Sequence, residues 1–114
     1  MSTPRRSADS VLLPGTLDLL ILQTLKRGEL HGYAIAQRIR QRSEEALKIE
    51  EGSLYPALQR LELKGFVQSE WQTTAQNRRV RMYRMTAAGR KQLTAKVDAF
   101  ESMVRAVRRV LRPA

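Results

Sequence analysis

The sequence predicts a mainly α-helical domain carrying one small β-hairpin, and three observations predict it. Apolar residues recur at helical spacing in three successive segments between Leu17 and Leu61. The pattern then changes to near alternation from Phe66 to Thr86, around a polar turn. Helical spacing returns in one long final segment, where apolar positions step alternately by four and three. The organisation expected is an arm over residues 1–12, a helix-and-hairpin domain over 13–86, and a terminal helix over 87–114.

Residues 1–12 carry Pro4, Arg5 and Arg6 and show no periodicity. A disordered terminus explains them, and a basic arm reaching into a DNA groove is the alternative. Pro14, Gly15 and Thr16 signal a helix start, with Asp18 expected in the first turn. Leu17, Leu20, Ile21, Thr24 and Leu25 then follow the i, i+3, i+4, i+7, i+8 rule, Leu19 and Leu22 widen the apolar surface, and Gly28 stops the helix after Lys26 and Arg27. A helix apolar on more than one face buries more than one, so Leu17 and Leu20 are expected to meet a second subunit as well as the core.

A second helix is expected within Glu29 to Ser43. Ile35, Ala36 and Ile39 face inward, and Arg38, Arg40 and Arg42 largely outward. His31 reads as a local hydrogen-bonding group near the helix start. The segment from Ser43 to Ile49 connects to a third helix, the stretch around which the chain is organised. There Leu54, Ala57, Leu58 and Leu61 share one face. Ser53 is the expected N-cap, which puts Pro56 in the first turn where its missing N–H costs nothing, and Glu50 and Glu51 lie near the positive end of the helix dipole. Lys64 and Gly65 close the helix. Its other flank carries Ser53, Tyr55, Gln59, Arg60 and Lys64, groups suited to phosphates and base edges. Ordinary solvated surface is the competing reading of that flank.

Phe66–Thr73 and Arg78–Thr86 read as two strands around the turn 74–77, with Arg79, Arg81, Tyr83 and Met85 on one face. Seven basic residues and no acidic one lie between Trp71 and Val97. That is either a solvated charge run or a wing set against DNA beside the third helix. Thr86 caps the last helix, Ala87 to about Leu111, with Gly89 tolerated in its first turn. Leu93, Val97, Phe100, Val104, Val107 and Leu111 form a heptad seam that packs on a partner helix or on its own domain. Trp71, the one tryptophan, is read as a packed residue anchoring the hairpin to the last helix.

The 114 residues hold 21 lysines and arginines against 11 acids, a net charge of +10 with a pI near 11.1, which implies a polyanionic partner. Without a membrane-spanning run or a signal segment the chain is expected in the cytoplasm, with no membrane partner. No cysteine and a single histidine leave no metal site, and no nucleophile and base pair or cofactor-binding loop presents itself, so no catalytic residue and no cofactor are expected. Two short helices followed by a third with a polar outer face, then a hairpin, describe a winged helix-turn-helix. A winged-helix module for protein contact is the rival reading, and peripheral membrane binding through the last helix is a weaker one, since its arginines lie partly beside the apolar seam.

LPGTLDLLILQTL (13–25), LHGYAIAQRI (30–39), EEGSLYPALQRLELKGFV (50–67), EW (70–71), NRR (77–79) and YRMTAAG (83–89) resemble the PadR family of bacterial transcriptional regulators. The resemblance covers nearly everything from Leu13 to about Leu93. It implies a winged helix-turn-helix homodimer, usually a repressor, that binds a palindromic operator in double-stranded DNA and is often released by a small molecule. It also implies dimerisation through the last helix, in the short form of the family with a single C-terminal helix. By the same resemblance Tyr55 contacts DNA and Arg78, Arg79 and Arg81 are wing contacts. An aromatic effector between the subunits, with Trp71 and Phe100 as its candidate contacts, is a further expectation.

Overall fold

The computed structural model describes residues 14–113, so the arm expected over residues 1–12 lies outside the described residues. Helix α1 (Pro14–Thr24) is the centre of the fold, packed against three other helices, with Ile21 and Leu22 completely buried. Thr24 donates its hydroxyl to the carbonyl of Leu20 at 2.6 Å, and the helix tightens into a 3-10 turn over Leu25–Arg27. Asp18 is not in the first turn: Pro14 opens the helix, which leaves Asp18 fifth and pointing into the protein.

Helix α2 (Gly32–Arg42) falls within the expected Glu29 to Ser43, and ahead of it Leu30 and His31 are extended and form strand β1 (Leu30–His31). His31 is its N-cap, with Nδ1 accepting from the Ala34 amide at 3.1 Å. Helix α3 (Glu51–Leu63) is capped at Glu50, whose carbonyl accepts from the amides of Ser53 and Leu54, so Ser53 is not the cap. Pro56 therefore lies in the second turn and withholds one helical hydrogen bond from the Gly52 carbonyl. The helix ends in a Schellman motif. Gly65 takes φ +80°, Phe66 N–H donates to Leu61 and Gly65 N–H to Glu62.

Strands β2 (Val67–Thr73) and β3 (Arg79–Met85) form the expected hairpin, with Asn77 at φ 61° in the turn. The sheet has three strands rather than two, in the order β1-β3-β2, with Leu30 opposite Tyr83 and Val67 opposite Met85. Val67 and Tyr83 complete the core under α3, together with Ile35, Leu54, Leu58, Leu61 and Leu93.

Helix α4 (Ala87–Leu111) is 25 residues long, about 37 Å at the usual rise, and only its first half meets the domain. Thr86 caps it by accepting from the Gly89 amide at 3.0 Å and donates its hydroxyl to the Gly65 carbonyl at 2.6 Å. Gly89 is required rather than tolerated, since a Cβ there would lie 2.0 Å from the Phe66 carbonyl oxygen. Gly89→Ala should therefore lower stability by more than about 2 kcal/mol in urea unfolding. Gly52→Ala, where a Cβ meets nothing within 4 Å, should be neutral or stabilising in the same assay.

Candidate nucleic-acid interface

The polar face of α3 begins where the helix turns its apolar stripe inward. Tyr55, Gln59 and Lys64 are exposed on it, and Ser53 is half-buried in the first turn. Arg60 is also on this helix, but its guanidinium reaches Asp18 of α1 at 3.3 Å, and that carboxylate is buried. The Tyr55 ring lies against the start of α2, where a Cβ on Gly32 would meet it at 2.9 Å, so glycine at 32 is what lets the ring sit there.

The wing faces this ring. Register alternation puts Val67, Ser69 and Trp71 on the same side of the hairpin as Arg79, Arg81 and Tyr83. Near the sheet's base that side is covered by helices, and further out it is open. Trp71 accordingly is 55% exposed, not packed as an anchor, and the guanidiniums of Arg79 and Arg81 lie over its ring at 5.2 and 5.5 Å from the centroid. Arg81 has inward bonds as well. Its Nε donates to Ser69 Oγ at 2.9 Å, Ser69 in turn donates to Glu62 Oε2 at 2.6 Å, and an Arg81 terminal nitrogen lies 3.6 Å from the same carboxylate. This cluster ties the wing to the last turn of α3. Burial pushes the Tyr83 phenol above its usual pKa while the neighbouring Arg81 charge pulls it down, so Tyr83 is a neutral wall of the site.

Tyr55, Trp71, Arg78, Arg79, Arg81 and Tyr83 thus surround one cleft, closed at its other side by His31, Gly32 and Tyr33. Ser53, Gln59, Arg60 and Lys64 are not among its lining. Tyr33, 62% exposed, has no place in the sequence-based site; the signal for it was the glycine and tyrosine following the helix-capping histidine.

Of the residues expected at a dimer contact, Leu17 and Leu93 are buried in the chain's own core and Leu20 packs against it. Both core positions are filled because α1 is surrounded by the other helices and α4 lies across it. Phe100, Val107 and Leu111 are exposed, and Val97 and Val104 are half-buried. Phe100 is not in the lining of the cleft that holds Trp71.

The sequence pattern of the transcriptional regulator PadR-like family matches residues 21–95. The transcriptional regulator Rv3488 of Mycobacterium tuberculosis is 38% identical over 89 residues, spanning 78% of this chain and 79% of that protein. The fold is similar to that of a transcriptional regulator from Clostridium thermocellum, with a TM-score of 0.79 and 31% identity over 86% of this chain and 95% of that one. A PadR family transcription regulator from hypervirulent Clostridium difficile gives a TM-score of 0.73 at 28% identity, over 84% and 98% of the two chains. Among the described residues no helix is long and apolar enough to cross a membrane.

Arg60 supplies the positive charge that the buried Asp18 carboxylate faces. Arg60→Met should destabilise the fold by about 1–3 kcal/mol at neutral pH, measured by urea unfolding, because it leaves that carboxylate without its cation.

Proposed function

The chain belongs to the PadR-like family of transcriptional regulators, which are not enzymes, and we propose that it acts as a dimeric repressor on a palindromic operator, released by a small-molecule effector. The observation that carries this reading is an arginine wing, free of acidic residues from Trp71 onward, standing across a cleft from Tyr55 of α3. In it α3 enters the major groove with Tyr55, Gln59 and Lys64 toward bases and phosphates, and Ser53 meets the backbone at the helix start. Arg78 and Arg79 lie against the adjacent backbone or minor groove. Arg60 and Arg81 act mainly by holding the reading elements in position, since each has a carboxylate of its own.

Two-fold pairing along α4 supports the palindrome, because a dimer presents its two third helices symmetrically to two half-sites. The outer half of α4 supplies the apolar surface for that pairing, with Phe100, Met103, Val107 and Leu111 exposed on a single chain. Acting on DNA, the protein works in the cytoplasm.

Selection of bound fragments from random duplex DNA should return an inverted repeat, and recovery of unrelated sequences would overturn the reading. On the selected site, Arg79→Ala should weaken binding and flatten the plot of log affinity against log salt by about one unit, with similar loss on scrambled DNA. Val107→Glu should give a monomer by sedimentation with an intact fold, because Val107 is 47% exposed in the single chain and the charge disturbs only a contact between copies. Tight operator binding should be lost with the dimer.

A further inference from the structure

Around the axis of α3 three directions are already taken. Leu54, Ala57, Leu58 and Leu61 face the core, Glu62 is held on the wing side by Ser69 and Arg81, and Arg60 is held on the α1 side by Asp18. The direction left over is a ridge of Gly52, Pro56, Gln59 and Leu63, spaced i, i+4, i+7 and i+11 and exposed throughout. This outermost line of the helix carries no charge. Leu63 is 81% exposed, more than any other large apolar side chain outside α4 among the described residues. At Gly52 a Cβ would meet nothing within 4 Å, so the ridge is low and open at its first turn. Gln59 supplies its one hydrogen-bonding side chain, an exposed amide held by no other side chain among the described residues.

A single exposed leucine is ordinary protein surface, but this one shares a ridge with a proline ring, on the helix proposed to enter the major groove. The floor of that groove offers hydrogen-bonding base edges and one apolar group, the 5-methyl of thymine. We propose that α3 reads A·T pairs, with Leu63 and Pro56 against thymine methyl groups and the Gln59 amide on N6 and N7 of an adenine between them. From Pro56 to Leu63 the helix rises about 10 Å, the length of about three base-pair steps, so all three contacts fall within one half-site. The cations assigned to phosphates, Lys64, Arg78 and Arg79, lie off this ridge. Groups that set affinity are thereby separated from groups that set sequence. The inference rests on the DNA-binding reading above and adds to it which bases are read and by which residues.

The operator recovered by selection supplies the test. Replacing its thymines one at a time with deoxyuridine removes only the 5-methyl group and keeps the base pair. At least one such position in each half-site should bind the wild-type protein about fourfold more weakly, the loss expected for one buried methyl group. At one of these positions Leu63→Ala should bind the thymine and deoxyuridine forms equally. Its fold should be intact, as Leu63 is on the surface, and its salt slope should match the wild type because no phosphate contact is removed. 7-Deazaadenine at the adenine position lacks the N7 acceptor and should weaken wild-type binding about fivefold, with no effect on Gln59→Ala. Absence of any deoxyuridine effect, or a penalty that Leu63→Ala retains at every position, overturns the methyl contacts. A 7-deazaadenine penalty that Gln59→Ala retains overturns the adenine contact. Failure of the wild-type protein to bind any operator would sink the DNA-binding reading and this inference with it, whereas a bound operator indifferent to both analogues removes this inference alone.

Discussion

The contact on which the rest of the molecule depends is the approach of the first turn of α4 to the end of α3. Gly65 ends α3 in the left-handed conformation, and the next carbonyl, that of Phe66, accepts from the Thr86 amide at 3.0 Å. Thr86 returns its hydroxyl to Gly65 and uses the same oxygen to cap α4. The backbone of Gly89 then lies against Phe66 so closely that no other residue fits. The end of the third helix, the bases of both long strands and the start of the last helix therefore meet within a few residues. None of them can turn without straining the others.

Charge follows a complementary logic. The net +10 is not spread evenly, because several acids are drawn away from the proposed DNA face by arginines of their own. Asp18 is buried beside Arg60, Glu62 is held by Ser69 and Arg81, and Glu45 pairs with Arg40 in the turn after α2. Arg78 and Arg79 remain outward with no acid from Trp71 to Val97, which concentrates positive potential at the wing. The Arg40–Glu45 and Arg81–Glu62 pairs contribute most as orienting contacts, since exposed ion pairs add little stability by themselves, whereas the buried Asp18 carboxylate depends on Arg60 for its charge.

The helices were legible because their burial has a period: Leu54, Ala57, Leu58 and Leu61 are all essentially inaccessible, as their spacing requires. Strand β1 was not, for two residues cannot display a period and its existence depends on Met82 and Tyr83 far along the chain. Ser53 has the better capping side chain, yet the cap falls at Glu50 because the extended backbone there already turns its carbonyl toward Ser53 and Leu54. Trp71 has the residue type of a core position, but its strand has run past the helices by then, so arginines cover it instead of leucines. For the candidate site, residue types were legible and partnerships were not. That Arg60 belongs to Asp18, 42 positions away, is a fact of the tertiary fold.

The junction at Gly89 also makes α4 a ruler. Its first turn is locked to the end of α3, and its outer apolar half begins several turns further on, with uninterrupted helix between them. In a dimer joined through that half, the number of residues from Gly89 to Phe100 sets both the separation and the relative rotation of the two α3 helices. Adding one residue there would advance the seam by about 1.5 Å and swing it by about 100°, whereas adding seven would restore the phase to within about 20°. Relatives that differ by a whole heptad in this span can keep the same pairing mode on operators of different spacing, and those that differ by a single residue must pair their helices another way.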